Sequence, residues 1–173
     1  MHPVLFSVGT FEIHTYGFLG ALAFLSIAGI SILRARSLGI VAERVSDVIF
    51  WTALLSLAGS RLLYVVQNPE SVTGLADAVN IRGGGLVFYG ALLTGIPVGS
   101  MLMLRAKMPF WATWDVFATA FPFAHGLTRL GCFAAGCCHG APTDSSWAVV
   151  FTNSRSVAPL NQPLHPTQLY EAA

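Results

Sequence analysis

Residues 17–33, GFLGALAFLSIAGISIL, decide the fold class because this stretch contains no charged side chain. Arg34 and Arg36 follow it almost at once. At about 1.5 Å per residue, a helix of this length approaches the ~30 Å hydrocarbon thickness of a bilayer. The stretch therefore predicts a membrane-spanning helix that ends at a basic loop.

The composition of the whole chain agrees with a membrane protein. Hydrophobic residues make up 54% of the 173 residues and charged residues only 10%, against roughly a quarter charged in soluble domains. Further apolar runs lie at residues 47–66, 85–104 and 111 to about 135. We predict an all-α, polytopic integral membrane helical bundle with about four transmembrane helices, forming a single transmembrane domain over residues 1–173. The net charge of +1 argues against nucleic acid as a partner.

The basic residues in the short loops predict the orientation of the spans. Arg34, Arg36 and Arg44 lie between the first two spans, and Arg105 and Lys107 follow the third. Because Lys and Arg near span ends are retained in the cytoplasm, both loops should be cytoplasmic. The N-terminus is then expected on the outer side, and the fourth span runs outward.

This topology places three arginines and a tyrosine at the depth of the outer leaflet. Arg61 and Arg129 lie late in outward-running spans, while Arg82 and Tyr16 lie beside the same surface. A charge at the centre of a membrane helix costs roughly 2.5–3.5 kcal/mol on insertion scales. The side chains either extend to the interface or bind an anion, and a guanidinium fork matches a phosphate.

Glycines accompany these arginines and predict a Gly-rich loop region at the outer face. They occur before the third span and through the end of the fourth, at positions that include Gly131 and Gly136. Small residues allow a lipid headgroup or another helix to approach the backbone. Glycine is also frequent in membrane helices generally, which accounts for part of the pattern.

The cysteines and histidines allow two interpretations. Cys132, Cys137, Cys138 and His139 are potential metal ligands, but gaps of four and then zero residues do not match typical zinc motifs. Buried free cysteine otherwise packs as a small apolar residue, and we assign no metal. His165 stands out because an amide, a phenol and a carboxylate follow it by residue 171, and this segment is expected to reach the arginines.

Taken together, several motifs resemble the signature of prolipoprotein diacylglyceryl transferases. They cover nearly the whole chain and occur in the family's order: YG at 16–17, GSRLLY at 59–64, GGLVFYG at 84–90, RLGCFAAG at 129–136, GAPTD at 140–144, WAVVF at 147–151 and HPTQLYE at 165–171. HPTQLYE combined with Arg129 and the Pro-Thr-Asp turn is the most specific part.

The resemblance implies a multi-pass enzyme of the bacterial inner membrane with a periplasmic N-terminus. Such enzymes transfer the diacylglyceryl group of phosphatidylglycerol to the lipobox cysteine in the signal peptide of a prolipoprotein, and they need no cofactor. From the resemblance and the predicted topology, we expect the catalytic residues to be Arg129, Tyr89, His165 and His139. We expect the substrate-binding residues to be Arg61, Tyr16, Arg82, Gly131, Gly136, Tyr170 and Glu171.

The chain departs from the family pattern at four positions. Cys132 and Ala135 replace asparagines, Cys137 replaces a glutamate, and Tyr89 replaces a histidine that is a candidate base. His139 or His165 is expected to substitute as the base. The family continues through further helices, which these residues are expected to lack. The alternatives are a membrane thiol or metal-binding protein on the same scaffold, and a non-catalytic phospholipid-binding relative.

Overall fold

A computed structural model describes residues 2–8, 11–71, 74–80 and 84–173 of the chain. Most of these residues are helical, which confirms the predicted fold class. The helices are α1 (Thr15–Ser37), α2 (Ala42–Gln67), α3 (Leu75–Val79), α4 (Phe88–Arg105), α5 (Phe110–Ala135) and α6 (Thr167–Ala172), with a 3-10 turn at Pro69–Ser71.

Each predicted span corresponds to one long helix, although not all four helices are equally apolar. Among the described residues, α1, α2 and α4 are long and apolar enough to cross a membrane. Helix α5 has 26 residues, but Asp115, His125 and Arg129 lie within it and make it more polar. Passage of α5 through the membrane therefore stays a prediction.

The long helices expose apolar side chains to their surroundings. Leu33, Leu62 and Leu93 are 67%, 65% and 70% exposed, respectively. Large exposed apolar faces are unusual for a protein in water, whereas acyl chains solvate them without penalty. With the apolar lengths of α1, α2 and α4, this surface defines an integral membrane protein with several spans.

The chain divides into two compact units, which we describe separately. The first unit contains Met1–Ile30 and Phe117–Ala173, and the second contains Ser31–Val116. The prediction of a single transmembrane domain over residues 1–173 stays a prediction.

In the second unit, α2 and α4 pack closely because glycines face each other across the interface. A methyl group added at Gly90 would lie 2.5 Å from the Gly59 carbonyl oxygen and 2.9 Å from the Ser60 Cα. The Ser60 hydroxyl also donates a hydrogen bond of 2.9 Å to the Val87 carbonyl, just before α4. Close backbone approach through small residues is the usual way in which membrane helices pack.

At the other end of the second unit, the two basic loops come together. Arg44 Nη1 donates a 3.1 Å hydrogen bond to the carbonyl oxygen of Ala106, which lies between Arg105 and Lys107. The start of α2 and the end of α4 therefore share one side of this unit. This agrees with the prediction that both loops face the same compartment.

The first unit contains two small antiparallel sheets that the sequence patterns did not predict. Strands β1 (Val4–Val8) and β2 (Phe11–His14) pair with each other, as do β3 (Val149–Val150) and β4 (Pro163–Leu164). Phe151, Ala158 and Leu164 form a buried core beside the second sheet, and Phe133 of α5 packs against it. This core fixes the segment after α5 against the end of that helix.

Helix α6 is attached to the same place by hydrogen bonds from its first turn. The side chain of Gln168, which is fully buried, donates through Nε2 to the Cys137 carbonyl at 2.6 Å. The Thr167 hydroxyl donates to the Cys138 carbonyl at 2.7 Å. The HPTQLYE segment therefore lies directly against the end of α5.

Candidate functional site

Arg129 and Glu171 form an ion pair between α5 and α6. Arg129 Nη2 lies 2.6 Å from Glu171 Oε2, and His125 Nε2 lies 3.6 Å from the same oxygen. His125 and Arg129 are four residues apart, so they occupy one face of α5. The Arg129 side chain is 24% exposed and the Glu171 side chain 44% exposed. The predicted approach of the segment 165–171 to an arginine is thus observed at Arg129.

His165 and Tyr170 form a second group at α6. The Tyr170 hydroxyl accepts a 2.7 Å hydrogen bond from Trp147 Nε1 and lies 3.1 Å from His165 Nδ1. Because indole nitrogen only donates, Tyr170 is the acceptor in the first contact. If His165 Nδ1–H donates to Tyr170, the opposite nitrogen Nε2 has the lone pair that a general base requires.

The tautomer of His139 is determined by its neighbour. Its Nδ1 lies 3.0 Å from the Gly140 carbonyl oxygen. A carbonyl oxygen can only accept, so Nδ1 is the protonated nitrogen and Nε2 is the acceptor of the neutral ring. His139 therefore satisfies one structural requirement for a base, which the sequence alone does not indicate.

Tyr16 and Gly131 lie against each other where α1 and α5 meet in the first unit. A methyl group added at Gly131 would lie 3.3 Å from Tyr16 Cδ2 and 3.5 Å from Leu19 Cβ. The space beside Gly131 is thus filled by side chains of α1. Gly131 allows the Tyr16 ring to approach α5, and its contact with a lipid headgroup stays a prediction.

Gly136 terminates α5 and turns the chain back on itself. Its φ of +79° lies in the left-handed region that glycine adopts readily at helix ends. Its amide donates to the Phe133 carbonyl at 3.3 Å, and the Cys137 amide donates to the Cys132 carbonyl at 3.1 Å. The role of Gly136 in the described structure is therefore to set the direction of the loop.

This turn brings the three cysteines together. All three are free thiols, and their sulfur atoms lie within 4.8 Å of one another. Cys132 is buried and Cys138 is exposed. Burial and the neighbouring thiols of Cys132 and Cys138 raise the pKa of Cys137 to about 12. The sequence spacing did not indicate this cluster, although Gly136 between Cys132 and Cys137 was a signal for a turn.

In the second unit, Arg61 makes four hydrogen bonds to backbone carbonyls. Nε donates to Ala78 at 2.9 Å and Nη2 to Asp77 at 2.6 Å, while Nη1 donates to Gly84 at 3.1 Å and to Gly85 at 2.9 Å. The guanidinium also lies 4.9 Å from the centre of the Tyr64 ring. Since a guanidinium has five N–H groups, most of its donors hold the connection between α2 and α4. A role for Arg61 in binding phosphate stays a prediction.

The structure shows few contacts that bear on the two remaining predicted site residues, Tyr89 and Arg82. Tyr89 is in the first turn of α4 and is 68% exposed, with its ring centre 6.0 Å from that of Phe88. Arg82 lies outside the described residues. Their predicted roles stay predictions.

These elements define a helical membrane protein in which several polar groups of the first unit lie near the end of α5, beside the Arg129–Glu171 pair. The model of the family described as "Prolipoprotein diacylglyceryl transferase" matches residues 3–173. The chain belongs to this family of transferases, which confirms the resemblance inferred from the motifs.

Curated relatives named phosphatidylglycerol–prolipoprotein diacylglyceryl transferase align along nearly the whole chain. The Clostridium tetani protein is 30% identical, covering 99% of this chain and 69% of its own length. The Marinomonas protein is 35% identical, covering 99% of this chain and 64% of its own length. The Geobacter sulfurreducens protein is 35% identical, covering 98% and 65%, respectively. The chain thus spans about two thirds of the length of these relatives.

Proposed function

We propose that the chain transfers the diacylglyceryl group of phosphatidylglycerol to the lipobox cysteine of prolipoproteins in the bacterial inner membrane. The names of its relatives specify both substrates. The observation that supports this most strongly is the Arg129–Glu171 pair at the end of α5. The N-terminus is proposed to be periplasmic, since the basic loops fit the cytoplasmic side.

The proposed reaction is a substitution at the glyceryl carbon. The thiolate of the substrate cysteine forms a C–S bond as the C–O bond to the phosphate breaks, and glycerol phosphate leaves. The thiol proton passes to a base, and the phosphate acquires negative charge. The protein must therefore stabilise an anion and accept one proton.

Arg129 is the proposed anion-binding group. Its guanidinium pairs with one carboxylate, that of Glu171. A phosphodiester offers oxygens of the same charge and spacing, so it can compete with Glu171 or bind beside it. Because charge on the phosphate increases in the transition state, the interaction should lower the barrier to transfer as well as bind the lipid.

The proposed base is His139 or His165. Both have a ring nitrogen fixed by a neighbouring oxygen, at 3.0 Å in His139 and 3.1 Å in His165. At neutral pH an imidazole is a better general base for a thiol proton than a phenol such as that of Tyr89. Arg61 is proposed to support lipid binding only through the connection between α2 and α4 that it holds, and Arg82 stays a proposed lipid-binding residue.

The test is a transfer assay with the full chain in membranes. Phosphatidylglycerol labelled in its acyl chains and a lipobox peptide are supplied, and thioether-linked label on the peptide is measured. Arg129→Ala should reduce transfer at least about 100-fold, the loss typical when an oxyanion-stabilising group is removed. Arg129→Lys should recover only part, because lysine keeps the charge without the fork.

The base is tested in the same assay by His139→Ala, His165→Ala and the double variant. General base catalysis typically contributes 10²–10⁴-fold, so the double variant should lose about 100-fold or more. Unchanged transfer in the double variant would exclude both histidines. If the parent chain retains labelled lipid but transfers none of it, the chain is instead a non-catalytic, phospholipid-binding relative of the transferases.

A further inference from the structure

The cluster of Cys132, Cys137 and Cys138, which we call the thiol cluster, has no role in the proposed transfer reaction. The nucleophilic sulfur in that reaction belongs to the substrate. Yet the three sulfur atoms lie within 4.8 Å of one another, and these are all the cysteines of the chain. This arrangement brings together three potential ligands for one ion.

The backbone that carries the thiol cluster contains two residues with positive φ. Gly136 has a φ of +79°, which glycine adopts readily, and Cys138 has a φ of +58°. Positive φ is uncommon for a residue other than glycine, and it persists only where the surroundings fix it. The two positions together return the chain so that Cys137 and Cys138 face the last turns of α5.

The support comes from α6. Gln168 holds the Cys137 carbonyl at 2.6 Å, and Thr167 holds the Cys138 carbonyl at 2.7 Å. Gln168 is fully buried, so its bond is shielded from water. Side chains that fix the backbone of potential ligands in this way preorganise a binding site.

The sulfur separations, all within 4.8 Å, are compatible with ligation of one metal ion. Zn–S bonds of about 2.3 Å place two sulfurs about 3.8 Å apart around a tetrahedral ion. A disulfide requires about 2.05 Å, and the adjacent Cys137 and Cys138 would form a strained one. All three thiols are free, and small rotations of the side chains would close the cluster around an ion.

We propose that Cys132, Cys137 and Cys138 bind one thiophilic metal ion, Zn²⁺ or Cu⁺, through three thiolates. Binding displaces three protons to solvent. Thiolates select these ions over hard cations such as Mg²⁺ and Ca²⁺. With Zn²⁺, three protein ligands leave a fourth position for water or an external thiol. The exposed side of Cys138 gives access to that position.

The test is metal binding by the reduced, chelator-treated full chain in detergent. Zn²⁺ and Cu⁺ are titrated separately against competing chromophoric chelators, and Co²⁺ is added as a spectroscopic probe. We expect one ion per chain and, with Co²⁺, an intense sulfur-to-metal charge-transfer band. The ion with the lower dissociation constant is the one that the site prefers.

Single Cys→Ser variants test the ligands. Each should weaken binding at least about tenfold, the minimum loss when groups around a metal are removed. His2→Ala is the matched control, because it removes an exposed potential ligand outside the cluster and should leave binding unchanged. If Cys132→Ser does not fold, Cys138→Ser still tests the site, since Cys138 is exposed.

Three results would overturn the proposal. The first is failure of the reduced chain to bind either ion at micromolar concentration. The second is binding that persists when all three cysteines are serine, which would assign it to histidines. The third is a count of one free thiol in the chain isolated without reductant, which would mean that two cysteines form a disulfide. None of these results bears on the transfer assay, so the two proposals fail independently.

Discussion

Arg61 and Arg129 both lie late in long helices, yet their guanidinium groups have different partners. Arg61, in the second unit, donates four hydrogen bonds to backbone carbonyls. Arg129, in the first unit, pairs with the carboxylate of Glu171. Backbone carbonyls are permanent parts of a fold, whereas a carboxylate can yield to another anion. The comparison indicates that Arg61 holds a loop and that Arg129 is suited to bind substrate.

The largest effect expected on stability comes from Arg61→Ala. The change leaves four carbonyls without their donor, and it should lower the free energy of unfolding by about 2–4 kcal/mol. Unfolding by a denaturing detergent, followed by circular dichroism, measures this directly. Limited proteolysis should also cut the connection between α2 and α4 faster than in the parent.

Arg129→Ala is the matched variant for this measurement. Its side chain pairs with an exposed carboxylate, so the change in unfolding free energy should stay within about 1 kcal/mol. Equal destabilisation by the two variants would remove the distinction between the arginines.

Gly85→Ala tests how firmly the Arg61 side chain is held in its loop. A methyl group at Gly85 would collide with Arg61 Nη1 and lie 2.8 Å from Tyr64 Cε1. Gly84 also has a positive φ, +88°, but a methyl group there meets nothing within 4 Å. Both alanine variants should therefore suffer backbone strain. Only Gly85→Ala should also suffer a collision with the Arg61 side chain. We expect Gly85→Ala to be less stable than Gly84→Ala by about 1–2 kcal/mol, measured by detergent unfolding.

Similar stability of the two glycine variants would show that Arg61 moves aside at little cost. Its hydrogen bonds would then be too weak to explain the connection between α2 and α4.

Glu171→Gln tests what the Glu171 carboxylate contributes to the function of Arg129. The amide is close to the carboxylate in shape but does not hold the guanidinium by charge. If Glu171 mainly positions Arg129, transfer should fall about fivefold, which corresponds to about 1 kcal/mol. Kinetics at varied phosphatidylglycerol concentration measure the effect. A loss as large as that of Arg129→Ala would instead make Glu171 part of the reaction itself.

The long helices could be predicted from the sequence because a bilayer imposes a simple rule. Apolar runs flanked by basic residues must be helical when no water satisfies the backbone. Thus residues 17–33 lie within α1, which extends from Thr15 to Ser37. The second sheet of the first unit was missed because its strands, Val149–Val150 and Pro163–Leu164, have two residues each and leave no pattern in the sequence.

The partners of the site residues were harder to predict for a physical reason. Every residue has a backbone carbonyl, so the sequence does not show which carbonyls accept hydrogen bonds from Arg61. The Arg129–Glu171 pair joins residues from two helices that are distant along the chain. The thiol cluster depends on the positive φ at Gly136 and Cys138, whereas spacing rules for zinc sites assume other turns. The motifs nonetheless identified Arg129 and the segment 165–171 as one group.

The central claim is that Arg129 binds the phosphodiester of the lipid while Arg61 is committed to its own loop. The most direct measurement is the affinity of the full chain for short-chain phosphatidylglycerol in detergent, compared among the parent, Arg129→Lys and Arg61→Lys. The account predicts at least about tenfold weaker binding for Arg129→Lys, since the guanidinium fork is lost, and less than about threefold for Arg61→Lys. Equal losses, or a larger loss for Arg61→Lys, would contradict it.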